Sequence, residues 1–99
     1  MKIEWTSGAL QDLEDRYDFL ISQQVPHNKA VKAIQHIKSV TKLLVTLPLL
    51  GKEFISTKSA IEYRLLIVGG YKIFYRIDND YIYIMTVFES RQDPNRMRL

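Results

Sequence analysis

Apolar side chains recur along this chain with two periods, and the change of period separates a helical first half from an extended second half. Ile3 and Trp5 alternate with Lys2 and Glu4, which predicts a short strand over Lys2–Trp5. Thr6 or Ser7 follows as a helix cap, able to accept bonds from amides that the first turn leaves without partners. Leu10, Leu13, Tyr17, Leu20 and Ile21 then recur at helical spacing and predict one apolar stripe, with Phe19 on the opposite side. Val25-Pro26 interrupts the pattern, because proline disfavours helical geometry at the residue before it and fits the first turn of a new helix. Ala30, Ala33, Ile34, Ile37, Val40, Thr41, Leu44 and Leu47 trace a second stripe, ending at Leu47-Pro48-Leu49-Leu50-Gly51. A joint this short predicts an antiparallel helical hairpin.

From Ile61 the period falls to two. Ile61–Val68, Tyr71–Ile77 and Tyr81–Phe88 read as strands separated by Gly69-Gly70 and Asp78-Asn79-Asp80, which makes an antiparallel meander. Lys52–Ser59 reads as a polar connection interrupted by Phe54 and Ile55, and Glu89–Leu99 as a tail without a period. The expected architecture is α+β: an N-terminal strand and a helical hairpin packed on a three- to four-stranded, mainly antiparallel sheet. Both faces of that sheet are apolar. Phe74 joins Lys72 and Arg76 opposite Tyr71, Ile73, Tyr75 and Ile77, while strict alternation groups Phe88 with Ile82, Ile84 and Thr86. The second face therefore needs the tail or another protein to cover it, and the isolated chain is expected to be poorly soluble.

Composition narrows the chemistry. Ninety-nine residues, 46% hydrophobic and 25% charged, suit one globular domain over residues 1–99. The absence of cysteine excludes disulfides, thiolate metal sites and cysteine nucleophiles, and two histidines do not make a metal centre by themselves. No apolar run approaches the ~18 residues of a membrane span, and Met1–Trp5 has no signal core, so the chain reads as complete and cytoplasmic, with no cofactor and no membrane partner. The net charge of +3 is uneven: residues 1–24 sum to −3 and residues 25–60 to +5. A basic middle fits an anionic partner and fits a solvated lysine-rich helix equally.

The ordered combination of Ala9-x-x-Asp12-Leu13, Leu47-Pro48-Leu49-Leu50-Gly51, Glu62-Tyr63-Arg64-Leu65-Leu66-Ile67, Tyr71-Lys72-Ile73-Phe74-Tyr75-Arg76-Ile77 and Thr86-Val87-Phe88-Glu89-Ser90-Arg91-Gln92-Asp93-Pro94 resembles the RelE/ParE superfamily of bacterial toxins over nearly the whole chain. The resemblance implies the toxin of a type II toxin–antitoxin module, associated with plasmid stabilization, inhibiting growth and neutralised by a cognate antitoxin in a hetero-oligomer. RelE-like members cleave messenger RNA in the ribosome; ParE-like members act on DNA gyrase. Metal-free RNA cleavage needs a base, cations for the charged phosphorane and an acid. Lys72 stands where the RelE pattern Gly-Tyr-Arg has its arginine, and Arg64 and Arg91 are the other candidate cations. RelE-like enzymes often place a tyrosine or histidine near the C-terminus, whereas here neither follows Tyr83 and Phe88 cannot transfer a proton. Together with Arg91-Gln92-Asp93-Pro94, this favours the ParE-like branch, with gyrase as target. The alternatives are a RelE-like ribosome-dependent endonuclease using Arg64, Lys72 and Arg91, and a degenerate toxin that retains only antitoxin binding.

Overall fold

The computed structural model describes residues 1–55 and 61–90. The chain runs β1 (Lys2–Trp5), α1 (Ser7–Ser22), α2 (His27–Thr41), a 3-10 turn (Lys42–Val45), β2 (Lys52–Ile55), β3 (Glu62–Val68), β4 (Tyr71–Asp78) and β5 (Tyr81–Glu89). The strands form one sheet in the order β1-β5-β4-β3-β2, antiparallel throughout except that β1 lies parallel to β5. The α+β class holds, and the sheet gains a fifth strand from the stretch that the sequence pattern presents as a connection. Only four residues pair there, Lys52 opposite Leu65 through Ile55 opposite Glu62, too few to set a period.

Each helix boundary has a local cause. Thr6 is extended (φ −66°, ψ 160°), and its hydroxyl accepts from the Ala9 amide at 3.2 Å while lying 2.8 Å from the Ile84 carbonyl as donor. The cap that starts α1 therefore also ties it to β5. At the other end Gln24 turns left-handed (φ 65°), and the Val25 amide reaches back to the Leu20 carbonyl at 3.0 Å, closing the helix as glycine usually does. The second helix is shorter than its stripe, because the backbone tightens to 3-10 geometry after Thr41. Leu44 still reaches the core from that turn, but Leu47 lies past it and is exposed. On α1, Leu10 and Ile21 likewise stay exposed, so the buried stripe narrows to Ala9 and Leu13 with Tyr17 and Leu20 partly covered.

Ala9, Leu13, Ile37 and Leu44 pack on Ile73, Tyr75, Ile82, Ile84 and Val87 to form the core. Full burial of side chains this size stabilises by about 1.5–3 kcal/mol each for the larger aliphatics. Strict alternation does not survive in β5. Phe74 pairs with Thr86 but Tyr75 pairs with Ile84, so Met85 is an inserted residue and the register shifts. Before the bulge, Ile82 and Ile84 face the helices; after it, Val87 does, and Phe88 turns to the open side. There it stacks on Phe74 at 5.9 Å, and Phe54 of β2 meets Phe74 edge-on at 5.0 Å. This corrects the grouping of Phe88 with Ile82 and Ile84: one extra residue reverses the face of everything after it. The proposed role of the tail in covering this face falls on residues 91–99, outside the described residues.

Candidate functional site

Register decides which of the candidate cations can act together. Arg64 sits opposite Tyr75, whose ring is in the helix-side core, whereas Lys72 sits between Ile67 and Phe88 on the open side. Lys72 and Tyr75 are three residues apart on one strand and so project to opposite faces. Arg64 and Lys72 therefore do not converge on one phosphate-sized group. Arg91, the third candidate, lies outside the described residues.

The Arg64 guanidinium is already engaged. Its Nη1 donates to the Gly51 carbonyl at 2.7 Å and lies 3.4 Å from the Leu49 carbonyl, while Nη2 lies 3.5 Å from Glu53 Oε1. Tyr75, completely buried, works beside it: its hydroxyl donates to the Pro48 carbonyl at 2.7 Å and accepts from the Gly51 amide at 2.8 Å. Burial raises the Tyr75 pKa above its ordinary value of 10.0, against the Gly51 hydrogen bond and the Arg64 charge, which lower it. Neutral tyrosine is thus the form held here. Gly51 has no room for a side chain, since a Cβ would come within 2.8 Å of Tyr75 Cε1 and 2.9 Å of the Leu65 carbonyl. Leu47-Pro48-Leu49-Leu50-Gly51 is therefore a loop pinned from beneath by two side chains of the sheet.

The open face carries a different mixture. Tyr81 and Tyr83 stack at 5.9 Å, with Lys2 and Asp78 beside Tyr81 and with Glu4 and Arg76 beside Tyr83. Arg76 pairs with Asp78 at 3.6 Å. These flanking charges balance, so this part of the sheet is amphipathic and not a cationic track for nucleic acid.

Two arrangements escaped the sequence reading. Asp12 Oδ2 accepts from Thr86 Oγ1 at 2.7 Å and from the Val87 amide at 3.0 Å, so the carboxylate satisfies backbone at the β5 bulge. The Ala9-x-x-Asp12-Leu13 spacing was the available signal: two buried apolar residues flank a carboxylate on the sheet side of the helix. Arg16 donates to the Tyr71 hydroxyl at 2.9 Å and places its guanidinium 5.0 Å from the Phe19 ring centre and 5.4 Å from that of Tyr71. Phe19, though half exposed, thereby packs on a cation. His27 contacts the Tyr17 hydroxyl at 2.7 Å and His36 is exposed. Among the described residues no three histidine or carboxylate side chains gather as a metal site, and no helix is long and apolar enough to cross a membrane.

The family model for the ParE toxin of type II toxin–antitoxin systems, parDE, matches residues 3–94. This chain belongs to the ParE toxin family. The ParE match runs from β1 through Pro94, so it takes in Asp12, the pinned loop and all three candidate cations. A solved chain of the chromosomal ParDE toxin–antitoxin system from P. aeruginosa is 25% identical, superposes with a TM-score of 0.75, and is covered over 95% of its length by 90% of this chain. No curated protein matches the sequence.

Proposed function

We propose that this ParE-family chain is the toxin of a two-protein module, that it acts in the cytoplasm by binding DNA gyrase, and that a cognate antitoxin neutralises it by direct contact. Family membership supports the toxin role. The observation that weighs most on mechanism is the separation of the basic residues. A phosphate-cleaving site needs cations gathered around one group, and Arg64 is committed to the Leu49–Gly51 backbone on the helix side while Lys72 stands on the open face. Inhibition by binding makes no such demand; it needs a surface, and the open face of the sheet offers the partly exposed Phe54, Tyr81, Tyr83 and Phe88. The gyrase target itself rests on the ParE-like resemblance.

The test expresses the chain with and without the product of any small reading frame found beside its gene and follows DNA supercoiling and translation separately. Growth arrest with loss of gyrase supercoiling, relieved by the neighbour, is the expected result. Codon-positioned cleavage of messenger RNA on programmed ribosomes, abolished by Lys72→Ala, overturns the gyrase reading in favour of an endonuclease. Antitoxin binding without growth arrest points to a toxin that has kept only its partner interface.

A further inference from the structure

Residues Leu43–Leu50 reverse the usual arrangement of a surface loop, in which polar groups face water. Here several of the backbone's polar groups are taken by side chains of the sheet. The carbonyls of Pro48, Leu49 and Gly51 and the amide of Gly51 are taken by Tyr75 and Arg64. Leu44 enters the core, but the other leucines turn outward: Leu43, Leu47, Leu49 and Leu50 are 50, 53, 66 and 46% exposed. The segment is also fixed internally, with the Leu47 amide on the Leu43 carbonyl at 2.9 Å and the Leu50 amide on the Leu47 carbonyl at 3.1 Å. Four half-exposed leucines on a backbone held this firmly lose little freedom on being covered, which is the property of an interface anchor.

The charges beside the leucines select the partner. Exposed Lys42 and Lys52 bracket the run. The nearest carboxylate along the chain, Glu53, lies against Arg64. Residues 25–55 hold five lysines and Glu53 as their one acid. A segment that covers this surface matches it with apolar side chains flanked by carboxylates.

We infer that Leu43–Leu50 is the anchor on which an acidic, amphipathic segment of the antitoxin docks; the inference rests on the toxin–antitoxin reading above and adds to it the surface and the chemistry of the segment. The measurement is the affinity of the full chain for the purified antitoxin candidate encoded by a small reading frame beside its gene. Three variants are compared with the unaltered chain: Leu49→Ser with Leu50→Ser, Lys42→Glu with Lys52→Glu, and the control Ile67→Ser, a residue 57% exposed on the open face of β3. Thermal unfolding confirms that each is folded. The leucine pair is expected to weaken binding at least about tenfold. The lysine pair is expected to slow association and remove most of its salt dependence. Ile67→Ser is expected to stay within about twofold, as surface changes outside an anchor do. All three variants still arrest growth when expressed alone. Unchanged affinity in the leucine pair overturns the anchor. Loss of growth arrest in that pair with affinity retained also overturns it, by assigning the surface to the target. Failure of the unaltered chain to bind the neighbour's product is a different result, which removes the antitoxin reading and the anchor with it.

Discussion

Two polar side chains, the half-buried Asp12 and the fully buried Tyr75, hold irregular backbone in this protein, and they serve opposite ends. Asp12 reaches from α1 to the bulge of β5, where the inserted Met85 breaks the ladder; around it Ala9, Leu13, Ile84 and Val87 close into the core. Tyr75, assisted by Arg64, reaches from the sheet to the loop after the 3-10 turn, and the leucines of that loop remain outside. The first anchor ends in buried apolar surface and so contributes directly to folding. The second fixes a shape whose apolar surface stays in water, which folding alone does not reward. A polar anchor beneath a covered seam is a stability device; the same device beneath an exposed apolar loop prepares a contact.

Removing the first anchor is the strongest test of that contrast. Asp12→Ala leaves the Thr86 hydroxyl and Val87 amide without their acceptor in a buried seam, and stability is expected to fall by about 2–4 kcal/mol. Asp12→Asn, which keeps one acceptor oxygen, is expected to lose less. Urea unfolding of the three proteins measures both, and equal stability in all three breaks the comparison.

Tyr75→Phe is expected to cost about 1–3 kcal/mol, since it strands the Gly51 amide and the Pro48 carbonyl without changing the ring. It also carries a pH signature. The Tyr75 pKa is raised on folding, so between about 10 and the higher folded value the native chain keeps a proton that the unfolded chain releases. The stabilisation from holding tyrosine neutral is full below the unfolded value and declines as pH rises through that window. The stability difference between the unaltered chain and Tyr75→Phe should therefore be flat from neutral pH to about 9 and shrink above about 10. A difference that grows with alkalinity contradicts the assignment.

The two cations separate next. Arg64→Ala is expected to lower stability by about 1–2 kcal/mol, because a charged donor is withdrawn from the Gly51 carbonyl at a site 16% exposed. Lys72→Ala on the open face is expected to change it by less than about 0.5 kcal/mol. Thermal unfolding of the pair distinguishes a lysine available for binding from an arginine built into the fold. The smallest effect concerns neither anchor: Gln24→Gly relieves a left-handed residue at the end of α1 and is expected to stabilise by about 0.5–1 kcal/mol.

Much of the fold is legible without coordinates. Ile3 and Trp5, the Val25-Pro26 break, and the Gly69-Gly70 and Asn79-Asp80 turns mark elements close to where they fall. Such signals are local: a cap, a proline or a two-residue turn acts within a few residues of itself. The candidate site is less legible. Arg64, Lys72 and Arg91 stand out as cations in the sequence, but the pairing of Arg64 with Tyr75 and of Lys72 with Ile67 assigns the first two to opposite faces. Register between strands depends on which turn and which bulge win, and no single strand contains that information.

The sequence by itself determined the order of elements, the α+β class and the family likeness, because periodicity and turn chemistry are properties of neighbouring residues. Tertiary structure alone decided that Lys52–Ile55 pairs as a fifth strand, that Met85 reverses the face of Phe88, and that Leu47, Leu49 and Leu50 remain outside. Each of these outcomes depends on a contact with a distant partner: β3 for the strand, β4 for the bulge, and Tyr75 and Arg64 for the loop. A hydrophobic residue states a preference for burial, but whether it is buried depends on what the rest of the chain brings to it.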